Sequence, residues 1–271
     1  MSVRFTWSRG LDSNLTAPKS VNLKIQSRGL TDVGRVRHAN QDAFSIEDRE
    51  NIYIVADGMG GHAGGEIASN LCIEQIVKNI KSQSHIFASN SHHPNGQMIH
   101  SMIASVNFAS TKIYERALED PSLKGMGTTA TVGKIVDNFL YLAHVGDSRC
   151  YLVRCNLIYQ LTNDHSLVFE QVKAGLITQE ESEIHHLRNV ITRSVGYQEE
   201  EDVDTVVIEL ESDDYLVLCS DGLHGKVSDK EISTTVSKSG LNAVQELLQL
   251  ANERGGEDNI TIVVLKVTES L

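Results

Sequence analysis

The chain has 271 residues, of which 36 are acidic and 24 basic, for a formal net charge of −12. That balance argues against a nucleic-acid backbone or an anionic membrane as the main partner, and no run approaches the roughly 18 apolar residues that would span a bilayer. The length supports a sizeable core and no Pro-rich or Ser/Gly-rich linker divides it, so a single domain over residues 21–271 is expected.

Residues 1–20, with Trp7, Arg9, Asp12 and Pro18, show no sustained periodicity and read as an N-terminal extension. They lack the apolar core of a signal peptide, which predicts a cytoplasmic protein. Alternation with period two begins at residues 21–25 and predicts a first strand. A second apolar run, Tyr53-Ile54-Val55-Ala56, ends in Asp57-Gly58. Residues 65–81 place Ile67, Leu71, Ile76 and Ile80 on one helical face, and residues 98–118 do the same for Ile99, Met102, Ile103, Val106 and Ile113. The polar stretch 82–97, with Asn95-Gly96 as a turn signal, reads as the loop between these helices.

Strands are expected at 129–136, 139–145 and 150–153, with Asp137-Asn138 as a hairpin turn. The pattern is lost over 164–195, which read as helical and polar. It resumes at 205–210 and 215–219. A helix over 241–254 follows, with Gly255 at C′, and then the strongest strand, 260–267. Short turns between consecutive strands imply antiparallel pairing, and clustered helices imply outer layers, so the class is α+β. Cys72, Cys150, Cys155 and Cys219 form no Cys-x-x-Cys pair and read as buried reduced thiols.

Two segments share one design: Tyr53-Ile54-Val55-Ala56-Asp57-Gly58 and Leu216-Val217-Leu218-Cys219-Ser220-Asp221-Gly222 each deliver an aspartate to a glycine at a strand tip. Asp-Gly is also a common hairpin dipeptide, so neither segment decides anything alone. Asp147 follows another apolar strand and glycine, however, and Asp258 immediately precedes the last strand. Four carboxylates on strand tips suit hard cations such as Mg²⁺ or Mn²⁺, whereas zinc would recruit His or Cys. The pairs His92-His93 and His185-His186 have no ligand spacing and read as solvated. Two such cations can activate water and neutralise phosphoryl oxygens, so no Ser or Cys nucleophile is needed. Arg37, a bidentate donor, and His62, in the glycine-rich Met59-Gly60-Gly61-His62-Ala63-Gly64-Gly65, are the nearest candidates for phosphate anchor and proton donor. Walker and Gly-x-Gly-x-x-Gly spacings are absent, which argues against nucleotide binding.

With these residues in place the chain resembles the metal-dependent protein phosphatases of the PPM, or PP2C, class in their compact bacterial serine/threonine form. The motifs are Gly29-Leu30-Thr31-Asp32-Val33-Gly34, Arg37-His38-Ala39-Asn40-Gln41-Asp42, Val55-Ala56-Asp57-Gly58-Met59-Gly60-Gly61-His62, Gly127-Thr128-Thr129, Gly146-Asp147-Ser148-Arg149, Ser220-Asp221-Gly222 and Asp258-Asn259-Ile260-Thr261. The resemblance implies a four-layer αββα sandwich of two mainly antiparallel sheets flanked by helices. It implies two core Mn²⁺ or Mg²⁺ ions bridged by Asp57, with the Gly58 carbonyl, Asp221 and Asp258 as further ligands, and a weaker third ion on Asp147 and Asp221. Asp42 would orient metal-bound water, Arg37 would bind the substrate phosphate and His62 would protonate the leaving group. Residues 164–195 would form a flap, in which His186 replaces a common proline and could loosen the entrance. Gln41 stands where many relatives have Glu.

The implied activity is hydrolysis of phosphoserine and phosphothreonine in proteins by a metal-bridged hydroxide, opposing bacterial serine/threonine kinases, in a monomer. The alternatives are a regulatory phosphatase dedicated to one partner and a catalytically silent phosphoprotein-binding module.

Overall fold

The computed structural model describes residues 23–61, 63–84 and 96–270. The extension over 1–20, the Asn95 turn position, the pair His92-His93 and His62 lie outside the described residues.

Eleven described strands form two sheets: β1 (Leu23–Asp32), β2 (Asp42–Glu47), β3 (Ile52–Met59), β4 (Gly127–Thr128), β5 (Ala130–Val136), β6 (Phe139–Val145), β7 (Arg149–Arg154), β8 (Leu157–Gln160), β9 (Asp204–Glu209), β10 (Tyr215–Cys219) and β11 (Ile260–Glu269). One sheet runs β1-β11-β10-β7-β8 and the other β2-β3-β5-β6-β9, with β4 paired to β3. Every strand pairing is antiparallel. Helices α1 (Gly64–Ser82) and α2 (Gly96–Glu119) pack on the second sheet. Short helices α3 (Leu167–Lys173), α4 (Gln179–Glu183) and α5 (Asp221–His224) come next, then α6 (Asp229–Ser239) and α7 (Ala243–Glu253), which pack on the first sheet. The four-layer αββα sandwich is therefore present.

The two central strands show why the sequence takes this form. In β3, Ile52 and Ile54 face the α1/α2 layer, whereas Tyr53 and Val55 face the space between the sheets. In β11, Ile260, Ile262 and Val264 meet α7, whereas Val263, Leu265 and Val267 point between the sheets. Because both faces are covered, these strands are apolar without interruption, and their alternation is between two cores rather than between core and water.

Several elements depart from the sequence expectation. The fully buried stripe of α1 is Ala68, Cys72, Ile76 and Ile80, with Ile67 and Leu71 at its flank. Helix α2 starts at Gly96, inside the stretch expected to be loop. Strands β2 and β8 and helix α6 carried too little pattern to be read. In α6 only Ile232 and Val236 supply buried apolar side chains among polar and β-branched residues. That helix is fixed instead by a Ser228/Glu231 capping box and by the Arg254–Glu231 ion pair at 2.7 Å. Cys72, Cys150 and Cys219 are buried as expected, but Cys155 is exposed, in a turn with φ 53°.

Candidate functional site

The five aspartates of interest come from both sheets and meet at one end of the sandwich. Asp57 lies in β3 directly opposite Asp42 in β2. Asp147 sits in the turn between β6 and β7, where the chain crosses from one sheet to the other. Asp221 opens α5 just beyond β10, and Asp258 lies two residues before β11. The sheets are joined here by the Ser220 hydroxyl, which donates to Asp42 Oδ2 at 2.6 Å while accepting the Thr261 N–H at 3.0 Å.

Glycine is required where the aspartates turn. A side chain on Gly58 would collide with the carbonyls of Gly65 and Gln41, and one on Gly222 with the carbonyl of Asn259. A Cβ on Gly65 would stand 2.7 Å from both the Gly58 carbonyl oxygen and the Gln41 side chain, so glycine there lets the start of α1 pass close to that carbonyl. The Asp57 backbone is clamped by β4 and its neighbour. The Thr129 N–H and the Thr128 hydroxyl donate to the Asp57 carbonyl at 2.8 and 2.9 Å, and the Asp57 N–H donates to the Thr129 hydroxyl at 2.9 Å. Asp258 is delivered by the end of α7. There the Gly256 N–H donates to the Ala251 carbonyl and the Gly255 N–H to the Asn252 carbonyl, both at 3.2 Å, a Schellman closure with Gly255 at C′ and positive φ.

This concentration of acid is electrostatically costly. Asp57 and Asp221 keep some solvent access at the mouth but are otherwise surrounded by protein. Burial holds both well above the usual carboxylate range, and the surrounding aspartates add to it: Asp42, Asp221, Asp147 and Asp258 act on Asp57, and Asp147, Asp258 and Asp42 on Asp221. Burial, then the Asp164 charge, pushes Asp147 up to about 7. Burial likewise raises Asp42 to about 6, against the opposing hydrogen bond from Ser220. Protons or cations must compensate such a cluster at neutral pH.

The donor set fits hard cations. It is made of carboxylates with a backbone carbonyl beside them, and Asp42 Oδ1 is buried without a hydrogen-bond partner. Among the described residues no three His, Cys, Asp or Glu side chains are drawn together tightly enough to hold a metal ion as they stand. Asp258 Oδ2, meanwhile, is turned to Arg37 Nη2 at 2.7 Å. That ion pair is 52% and 31% exposed, so it contributes at most about 1 kcal/mol and can be exchanged for other partners. His185 and His186 stack on each other, with ring centroids 4.5 Å apart, and do not join the aspartates.

Arg37 reaches the cluster because its loop is pinned. The Asn259 side chain accepts the Gln41 N–H at 2.7 Å and donates to the Val33 and Ala39 carbonyls at 3.0 Å. Arg35 N–H donates to the Gly256 carbonyl at 2.7 Å. Asn259, Ser220 and Thr129 are thus supports whose motifs are visible in the sequence and whose roles are not. Their signal is adjacency: Ser220 and Asn259 stand next to motif aspartates in the chain, and Thr129 clamps Asp57 from the neighbouring strands of the same sheet.

The segment 164–195 stands beside the cleft and is tied at its base. Ser166 bridges Ile191, Val195 bridges Thr128, and the Thr192 N–H donates to the His165 carbonyl at 2.7 Å. Arg149 grips Asp164 with Nη2–Oδ2 at 2.7 Å. Beyond that base Leu176 is 73% and Ile184 81% exposed.

Comparison with known proteins agrees with this geometry. The protein phosphatase 2C family model matches residues 27–260. The protein phosphatase PhpP of Streptococcus pneumoniae is 37% identical over 250 residues, covering 89% of this chain and 96% of that protein. The crystal structure of the Mycobacterium tuberculosis serine/threonine phosphatase PstP/Ppp superposes with a TM-score of 0.79 at 34% identity, covering 91% of this chain and 99% of that one. The catalytic domain of PstP in complex with two manganese ions gives a TM-score of 0.78 at 33% identity, covering 91% and 100%. Family motifs, sandwich and carboxylate cluster coincide, and the chain belongs to the protein phosphatase 2C family, the manganese- or magnesium-dependent serine/threonine protein phosphatases.

Proposed function

We propose that this chain removes phosphate from phosphoserine and phosphothreonine in proteins at a binuclear centre between the two sheets, opposing serine/threonine kinases in the cytoplasm. The observation that carries this reading is the convergence of Asp42, Asp57, Asp147, Asp221 and Asp258, whose mutual repulsion demands cations. Asp57 and the Gly58 carbonyl, with Asp221 and Asp258, would hold the two core ions, and Asp147 with Asp221 a weaker third. Bound Mn²⁺ or Mg²⁺ supplies Lewis acidity that lowers the pKa of water and neutralises phosphoryl oxygens.

The chain's own residues do the rest. Arg37 receives the substrate phosphate, since a guanidinium offers a fork of donors and this one is engaged by Asp258 through a single nitrogen. Asp42 would accept a hydrogen bond from the attacking water, a role supported by its Ser220 hydrogen bond and its unpartnered Oδ1. His62 remains the proposed leaving-group acid from its position in the glycine-rich segment. The exposed apolar side chains of 164–195 meet the polypeptide around the phosphorylated residue.

The test is phosphate release from a phosphothreonine peptide with Mn²⁺ and with excess EDTA. Release only with metal is expected, and release undiminished by EDTA overturns the reading. A panel of phosphopeptides then separates a general phosphatase, which acts on many, from one dedicated to a single partner.

A further inference from the structure

We propose that His224 is a positioning residue that locks the Asp147 turn to the helix bearing Asp221, and so sets the affinity of the outer cation site formed by those two carboxylates. The inference rests on the reading of Asp147 and Asp221 as ligands of a third, weaker ion.

Asp147 and Asp221 are carried by separate parts of the fold, the β6–β7 turn and the first residue of α5. A site shared between them is only as well formed as the connection between turn and helix. His224 closes α5, one helical turn beyond Asp221, and its Nε2 lies 3.0 Å from the Asp147 backbone oxygen. A carbonyl oxygen can only accept, so Nε2 carries the hydrogen and the imidazole donates across the gap.

The rest of that turn is fastened from other directions. The Gly146 N–H donates to His165 Nδ1 at 3.1 Å, and the His165 N–H donates to the Gly146 carbonyl at 2.8 Å. The Thr131 hydroxyl donates to the Ser148 carbonyl at 3.3 Å, and the Ser148 and Thr129 hydroxyls share a bond at 2.8 Å. Those contacts come from β5, its approach and the base of 164–195. The His224 bond comes from α5 itself, and it acts on the residue whose carboxylate is to meet Asp221. Gly146, at φ 108°, could not take a side chain without striking Thr129, so the turn passes close against that residue. Removing the His224 hydrogen bond loosens the link between turn and helix and leaves the Asp147 carbonyl without this donor.

Outer-shell hydrogen bonds of this kind typically alter metal affinity by about 10- to 100-fold. The experiment is calorimetric titration of Mn²⁺ into metal-free full-length protein: wild type, Asp147→Asn, His224→Phe, His224→Asn and His224→Gln. Melting temperature is measured in parallel. Phe keeps the ring without a donor, Asn keeps polarity but is too short to reach, and Gln restores an N–H at similar reach.

The wild type is expected to show two tighter ions and one weaker, and Asp147→Asn to lose the weaker. His224→Phe and His224→Asn should weaken only that ion by about tenfold or more, with Gln close to wild type. If Asp147→Asn loses the ion but neither Phe nor Asn changes its affinity, the role of His224 is overturned while the ligand reading stands. Equal weakening of all three ions, or a Gln variant no better than Phe, also overturns it by showing general loosening. If Asp147→Asn keeps every ion, the ligand reading itself fails. Should the Phe variant not fold, the Asn and Gln pair decides.

Discussion

The aspartate cleft and the neighbouring segment 164–195 are built on opposite principles. In the cleft, each acidic side chain is fixed by a strand end, a glycine with no room for a Cβ, or a hydroxyl from the facing sheet, as with Ser220 on Asp42. In the segment, short helices α3 and α4 are tied at their base, and Leu176 and Ile184 stand in solvent. On the proposed function this contrast would separate chemistry from selection: the reaction would require charges held in place against repulsion, and partner choice a surface that can be changed without disturbing them.

The largest effect is expected at the most constrained point of the cleft. Asp57→Asn should lower metal-dependent phosphate release by about a thousandfold or more, since several kcal/mol of charge stabilisation are lost. Steady-state assay on a phosphothreonine peptide checks it, and a loss below tenfold would remove Asp57 from the centre of the account. Gly222→Ala forces a methyl group against the Asn259 carbonyl and should cost about 1–3 kcal/mol of stability, read by urea unfolding. Ser220→Ala removes the 2.6 Å bond to Asp42 and should cost about 1–3 kcal/mol with a parallel fall in turnover. In the outer segment, Ile184→Ala should leave stability within about 0.5 kcal/mol and turnover of a small aryl phosphate unchanged. Only its kcat/KM on phosphopeptides should move. A large stability loss there would show that the segment is not the adaptable surface proposed.

The same contrast governs what could be read from sequence. The cleft was legible because its constraints are local and chemical: a strand, an aspartate and a glycine recur, and the motif order places the chain in its family. Strands β3 and β11 were legible because burial on both faces leaves an unbroken apolar run. Helix α6 is harder to read, because its buried apolar surface is little more than Ile232 and Val236, its one local signal is the Ser228/Glu231 capping box, and its ion-pair partner Arg254 lies beyond the helix. The role of Asn259 is invisible in the sequence because its partners, Val33, Ala39 and Gln41, lie more than two hundred residues away in the chain, with separations of 226, 220 and 218. The Arg37–Asp258 ion pair joins two expected site residues to each other, a relation that no spacing rule contains.

The cleft also differs from the rest of the molecule in its acidity. Asp42 near 6 and Asp147 near 7 are raised above the ordinary 3.8, so in the metal-free fold they ionise later than in the unfolded chain. Their contribution to stability therefore falls as pH rises from about 4 to about 7. Metal offsets that loss, so the rise in melting temperature on adding Mn²⁺ should be larger at about pH 7.5 than at about pH 5. Thermal melts with and without metal check this, and in Asp147→Asn the pH dependence should be reduced.

The central claim is that the two sheets converge their aspartates on a metal pair. Anomalous diffraction at the manganese edge, from crystals grown with Mn²⁺, tests it most directly. The account predicts two strong peaks, each about 2.1 Å from oxygens drawn from Asp57, the Gly58 carbonyl, Asp221 and Asp258, with a weaker third at Asp147 and Asp221. Strong peaks held instead by His185 and His186, or no peak between the sheets, would contradict it.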